Sequence, residues 1–247
     1  ITQRFWTAFR DRDWGAAALE VGVVAIGILM ALAVDAWRSE QAALEREQEI
    51  LINLHEDIVD REQALEAKIE LRLNWMGALA EMRRSAFNHP PNRMPTVEEC
   101  NSLGASHIER WTTEGLAAFD ELVASGNVSA VRQSDIRSSA LQYFALKNRI
   151  DTLRERFELR SVNLTTRFPE LVTIRLVPTN DPNDLDGFVP SLECDLQGMR
   201  SNPTFLANLQ SNFQGQTAAL HTIRFEHLPQ LKALHRLVDE RLGVNHL

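Results

Sequence analysis

The run His55-Glu56-Asp57-Ile58-Val59-Asp60 opens like the zinc-protease signature, in which two histidines one helical turn apart share a face and the glutamate beside the first acts as base. Val59 stands where the second imidazole is required, so the segment reads as a solvated helix face. His221, His227 and His235 are separated by six and eight residues, which sets no two imidazoles side by side on one helix face. They read as scattered surface histidines. Between residues 182 and 193, Asp184, Asp186, Gly187, Val189 and Glu193 fall at positions 3, 5, 6, 8 and 12 of a calcium-loop template. Position 1 is Pro182, which has no side-chain oxygen, so Asp184, Asp186 and Glu193 are a near miss and the segment reads as an Asx-rich turn. The chain has no Gly-rich phosphate loop, GxSxG elbow or CxxC pair. No catalytic residue, cofactor or metal site is expected, and the protein is read as a non-enzyme.

The two cysteines, Cys100 and Cys194, lie outside any zinc-type spacing and far apart. On the exterior side of a membrane they would pair; in a reducing compartment they would be free buried thiols. A net charge of -8 without dense Lys/Arg clusters excludes nucleic acid as a partner.

The elements that must position these residues begin with an anchor. From Trp14 to Trp37 the chain reads WGAAALEVGVVAIGILMALAVDAW, with no charged or polar side chain between Val21 and Val34. About 22 residues separate the tryptophans, which at ~1.5 Å per residue covers ~33 Å, enough for the hydrocarbon layer. Two competing readings are a buried core helix and a leader cleaved after Ala31-Leu32-Ala33, although the chain retains residues 1 to 33. Arg4, Arg10 and Arg12 precede the span, so positive-inside counting sets the N-terminus in the cytoplasm. Residues 1–13, with Phe5, Trp6 and Phe9 among those arginines, are expected to lie along the inner surface. At about 100° per residue, Glu20, Val24, Gly27, Ala31 and Asp35 fall in one sector about 80° wide. Gly27 and Ala31 allow close helix approach, and carboxylates at that depth turn toward protein or water. That sector is the expected helix–helix interface with other membrane subunits, the rest of the span facing lipid.

Residues 38–247 are expected to form an exterior, periplasmic helical domain. Leu44, Leu51, Ile58 and Leu65 recur every seven residues with Leu54 and Ile69 beside them, and no Gly or Pro intervenes between Gly27 and Gly77. The span should therefore continue as one long helix, packed against later helices rather than in a coiled coil, since Arg61 and Arg72 interrupt the stripe. Asn88-His89-Pro90-Pro91-Asn92 ends it. Helical patterning resumes near Thr96; residues 113 to 124 form a short helix stopped at Gly126, and another is capped by Ser134. Prolines 169, 178, 182 and 190 break the pattern from Phe168 to Asn202, which reads as an irregular excursion and the candidate functional loop. Asn202-Pro203 starts a helix, and residues 216 to 242 form the last one, kinked at Pro229 and stopped by Gly243. The fold class expected is mostly α: a transmembrane helix, its long continuation, and a helical bundle with one excursion.

The segments EVGVVAIGILMALAVDAW and AFDELVASGNVSAVRQSDIRSSALQYF together resemble a family of uncharacterised bacterial single-pass membrane proteins, which pair a Gly-Ile-Leu-x-Ala-Leu span with a later Leu-x-x-Ser-Gly-Asn turn. The likeness covers roughly a third of the chain. It implies a bacterial inner-membrane location and a helical exterior domain, and it transfers no catalytic residue. The expected role is an accessory or scaffolding subunit of a larger membrane complex. A periplasmic sensing or ligand-binding module is the alternative, weakened because about 13 residues ahead of the span leave little room for an output domain.

Overall fold

The computed structural model describes residues 14–88, 93–108, 115–179 and 187–244, with the side chains of residues 14–18 and 20 left aside. Residues 1–13, Pro90 and Pro91, and the Asp184 and Asp186 of the calcium near miss therefore lie outside the described residues. The protein is mostly α, and the chain divides between Ile50 and Leu51 into two compact units.

Helix α1, Trp14–Ala86, runs through both without interruption. In the first unit its stretch from Val21 to Val34 is apolar and exposed throughout apart from half-buried Gly22, and the helix from Val21 onward is long and apolar enough to cross a membrane. A core helix of a soluble domain would bury such a face, since each large aliphatic side chain gains about 1.5–3 kcal/mol on leaving water. Among the described residues nothing in this chain covers it.

In the second unit the heptad expectation holds from Leu51 onward: Leu51, Leu54, Ile58, Leu65 and Ile69 are buried, as are Met76, Leu79 and Met82 further along. Leu44, on the other side of the division, is exposed. Arg61 and Arg72, which interrupt the apolar stripe, each reach a carbonyl outside the helix, Gly115 O and Ile108 O respectively, both 3.4 Å from the guanidinium. Arg72 also lies over the Trp75 ring at 4.0 Å.

Short elements follow: α2, Val97–Asn101, and α3, Ala117–Ala124, then a 3-10 turn at Val128–Ala130. Helix α2 starts in a capping box, the Thr96 hydroxyl accepting the Glu99 N–H while Glu99 accepts the Thr96 N–H. Leu116 offers α3 no side-chain cap, and the Asp57 carboxylate of α1 supplies one, accepting the Ala118 N–H at 2.7 Å. Asp57 is thus a structural acceptor across the bundle, and the surface-face reading of residues 55–60 is corrected. Gly126 adopts φ +71°, the left-handed stop expected of it. Helix α4 spans Ser134–Glu158; Ser134 is its first helical residue rather than its cap, which is Gln133 without a side-chain bond. Helix α5, Leu164–Arg167, is capped by Asn163, whose Oδ1 accepts from Thr165 N–H at 3.1 Å and Thr166 N–H at 3.3 Å.

Much of the expected excursion is regular. Strands β1, Val172–Pro178, and β2, Phe188–Cys194, pair antiparallel from Val172 opposite Cys194 to Pro178 opposite Phe188. In a two-stranded ribbon both strands are edges, so Pro178 and Pro190 forfeit no interior ladder bond and do not forbid the pairing. The hairpin is held to α2, where the Asn101 side chain accepts the Leu192 N–H at 2.6 Å and Cys100 is joined to Cys194.

After α6, Leu196–Ser201, the chain enters α7, Pro203–Thr222, capped by Asn202 with Pro203 in the first turn. No break occurs at residue 216: α7 passes into a π-helical segment, Ile223–His227, and then α8, Leu228–Leu242. The feature read as a kink at Pro229 is this π segment. Pro229 cannot donate to a carbonyl one turn back, and the register widens just before it, with Leu228 N–H bonding Ile223 O. Gly243, φ +70°, closes α8. Helices α7 and α8 run antiparallel to the second half of α1: Arg83 meets Gln210, Arg72 meets Gln216, Glu66 meets Lys232 and Glu62 meets His235.

Two fully buried amides complete the packing. Asn212 brackets Val162, accepting its N–H at 3.1 Å and donating to its carbonyl at 2.8 Å, and also donates to Ser106 Oγ at 3.1 Å. Gln216 donates to the carbonyls of Ser106 and Ile108, at 3.0 and 3.1 Å. These bonds satisfy loop carbonyls, that of Ile108 jointly with Arg72, where an unpaired buried carbonyl would cost about 1–3 kcal/mol.

Candidate functional site

Three features of the second unit carry polar chemistry. The first joins α1 and α8. On α1, His55 and Glu62 are seven residues apart and share a face; on α8, His235 and Asp239 are four apart and do the same. The antiparallel packing brings the two faces together. His55 Nε2 lies 3.0 Å from Asp239 Oδ1, His235 Nε2 lies 3.4 Å from that same oxygen, and the two Nε2 atoms are 3.4 Å apart. His235 Nδ1 lies 3.1 Å from Glu62 Oε1. All four side chains are sheltered, 13% to 19% exposed.

Carboxylates only accept, so the hydrogen at His235 Nδ1 is fixed by Glu62. A neutral His235 ring then turns its Nε2 lone pair toward His55 and Asp239. These are three donor atoms of the type that ligate transition metals, converging from two helices. The histidines expected at the surface thus divide into three environments. His221 is exposed, His227 is fully buried and His235 joins His55, so the reading of all three as scattered surface groups is corrected. The spacing test missed the cluster because it compared histidines within one helix, whereas His55 and His235 are 180 residues apart. The sequence signal was the His235-x-x-x-Asp239 pair on an amphipathic helix.

The second feature is buried. His227, 0% exposed, stacks on Tyr143 of α4 with ring centroids 4.7 Å apart and planes 13° from parallel. Both imidazole nitrogens and the Tyr143 hydroxyl lack hydrogen-bond partners among the described residues. Burial pushes the His227 imidazole down to about 4; the positive charge of Arg61 adds to that and Asp151 opposes it. Burial likewise raises the Tyr143 phenol.

The third feature is a groove of about 390 Å³ between α4 and α7, floored by Ile150, Phe157, Ala219 and Ile223 and rimmed by Arg156 and Arg160. Gly215 shapes it: a Cβ there would collide with the Phe157 ring.

The residues singled out in the sequence fall elsewhere. Val24, Gly27, Ala31 and Asp35 are exposed or open on α1, and a Cβ at Gly27 would meet nothing within 4 Å. Glu20 is on the same helix, its side chain outside the described set. Glu193 is on the exposed hairpin, paired with Arg175 at 2.8 Å. No family model, curated protein or solved structure matches the chain.

Proposed function

We propose that the chain is a membrane-anchored accessory or scaffolding subunit with no reaction of its own, belonging to a larger bacterial inner-membrane assembly. In this reading residues 14–37 cross the membrane, the N-terminus is cytoplasmic and residues 38–247 are periplasmic. The observation that carries it is the apolar stretch of α1 from Val21 to Val34, uncovered among the described residues and bearing a small-residue sector at Gly27 and Ala31. Lipid accounts for most of that surface. The Gly27/Ala31 sector, flanked by Glu20 and Asp35, fits a neighbouring helix better than acyl chains. The resemblance of the span and of the Leu122–Asn127 turn to bacterial single-pass proteins supports the same location.

Gly27→Leu should prevent close helix approach and reduce co-purifying subunits in mild detergent, while the exterior domain stays folded. Leu29 is about 160° around the helix from Ala31, so Leu29→Phe should be tolerated. Equal recovery of the same partners with Gly27→Leu would restrict the span to anchoring.

A second reading, a ligand-binding module, draws on the α4–α7 groove rather than on the segment first singled out for it. Its apolar floor and arginine rim suit a long-chain carboxylate. Ala219→Trp should then abolish binding of a fluorescent fatty acid to the chain in nanodiscs; undiminished binding would assign the probe to lipid.

A further inference from the structure

We propose that His55, His235 and Asp239 form a binding site for a divalent transition-metal ion of the zinc class, with Glu62 orienting His235 from behind. The inference stands apart from the accessory-subunit reading, since it rests on the exterior domain alone.

The geometry of the donor triangle is the first argument. A tetrahedral ion with bonds of about 2.0–2.1 Å to nitrogen or oxygen holds its ligand atoms about 3.3–3.4 Å apart. The edges of the triangle are 3.0, 3.4 and 3.4 Å, so the three atoms already outline one face of such a polyhedron.

Proton accounting is the second. With Nδ1 of His235 protonated toward Glu62 and both rings neutral, at most one N–H lies among the three converging atoms, on His55 Nε2. That hydrogen lies within reach of both Asp239 Oδ1, at 3.0 Å, and His235 Nε2, at 3.4 Å. A dication at the centre would accept a lone pair from each of the three atoms once the His55 hydrogen has moved from Nε2 to Nδ1, the tautomer in which a neutral imidazole ligates through Nε2.

The third is the outer partner. Ligating histidines hand their other ring nitrogen to a carboxylate or carbonyl, which fixes the ring and raises its basicity. Glu62 holds that place for His235. Two histidines and one carboxylate select zinc, cobalt, nickel or copper over magnesium or calcium, which prefer oxygen alone. Three protein ligands leave at least one coordination position for water.

Because the ligands come from α1 and α8, the ion would pin the first helix of the exterior domain to the last. Binding should therefore raise the melting temperature as well as saturate a site.

The test uses the full chain in detergent micelles, carrying a tag free of histidine, stripped with chelator and titrated with zinc sulfate against a chromophoric competitor. One zinc per chain is expected, with a dissociation constant in the micromolar range or tighter, and cobalt(II) should give the intense visible bands of tetrahedral nitrogen–oxygen coordination. His55→Ala and His235→Ala should each weaken binding at least 100-fold. Glu62→Gln should weaken it about 10- to 100-fold, and His221→Ala not at all. A measurement on the unmodified chain guards against variants that fail to fold: zinc should protect His55 and His235, but not His221, from diethylpyrocarbonate. Absence of binding at 100 μM zinc would overturn the site. So would unchanged affinity in folded His55→Ala protein, or protection that ignores His55 and His235; the cluster would then be a hydrogen-bonded link between two helices and nothing more.

Discussion

Opening the Cys100–Cys194 bridge is expected to lower the stability of the second unit by about 4–5 kcal/mol, the chain-entropy estimate for a loop of this length. The two residues are 94 apart in sequence with Cα atoms 6.0 Å from one another. The loop so closed contains α3, α4, α5 and the whole hairpin, which makes the constraint on the unfolded chain a long-range one. Among the described residues the bond from Leu192 N–H to the Asn101 side chain ties the hairpin to α2 beside it. Urea midpoints of the purified chain with and without reductant, and of the Cys100→Ala/Cys194→Ala double variant, measure the effect. A loss under about 1 kcal/mol would mean that the unfolded chain is restrained in some other way. The same protein tests the proposed topology: isolated without reductant, it should be lighter by two hydrogens than the reduced chain. Two free thiols would argue for a reducing compartment.

The long helix was legible because its determinants are local. Leu51, Leu54, Ile58, Leu65 and Ile69 mark one face by spacing alone, and all five are buried. The same holds for stops and starts whose signal is a single residue: Gly126 and Gly243 at positive φ, Asn202 with Pro203 at the start of α7. A second class of features depends on residues remote in sequence, and there local reasoning had nothing to grip. The α3 cap comes from Asp57, 61 residues away, so the missing Ser or Asp at Leu116 was no sign of a weak helix. The hairpin was hidden because Pro178 and Pro190 argue against a strand unless the sheet is known to have only two.

The histidine cluster belongs to that second class. No fixed spacing within one helix announces it, because each helix contributes half: His55 with Glu62 from α1, His235 with Asp239 from α8. What brings the halves together is the antiparallel packing of α8 along α1, in which Leu51, Leu54 and Ile58 of one helix and Leu231, Leu234 and Val238 of the other are buried. The site is thus a consequence of core packing, readable only once it is known which helix faces which. The Cys100–Cys194 pairing was accessible without that knowledge, since two cysteines permit one intramolecular bridge.

His227 leads to the second large effect, a loss of stability on mild acidification. Its imidazole is held down to about 4 in the folded chain, by burial first and by the Arg61 charge second, against about 6.5 when unfolded. Between those values the unfolded chain binds a proton that the folded chain refuses, so stability falls as pH drops from about 6.5 to about 4 and is unaffected by this group above that window. The full shift corresponds to about 3 kcal/mol, of which about 2 is lost by pH 5. His107, also lowered by burial, adds in the same direction. Asp120 opposes: burial raises its carboxyl, so the folded chain takes up that proton first and gains stability as pH falls through the raised value. Glu99, lowered by its Arg93 bond, loses its contribution only as pH falls below the ordinary carboxylate range. His227→Phe isolates the histidine term, because a phenyl ring can keep the stacking on Tyr143 while removing two buried nitrogens that have no described partner. At pH 7 the variant should be at least as stable as the unmodified chain, and by pH 5 its advantage should have grown by about 2 kcal/mol in urea midpoints converted with a common slope. Parallel pH profiles for the two proteins would show that the imidazole takes up its proton without opening the core, and that a path to water reaches it between α4 and the π segment.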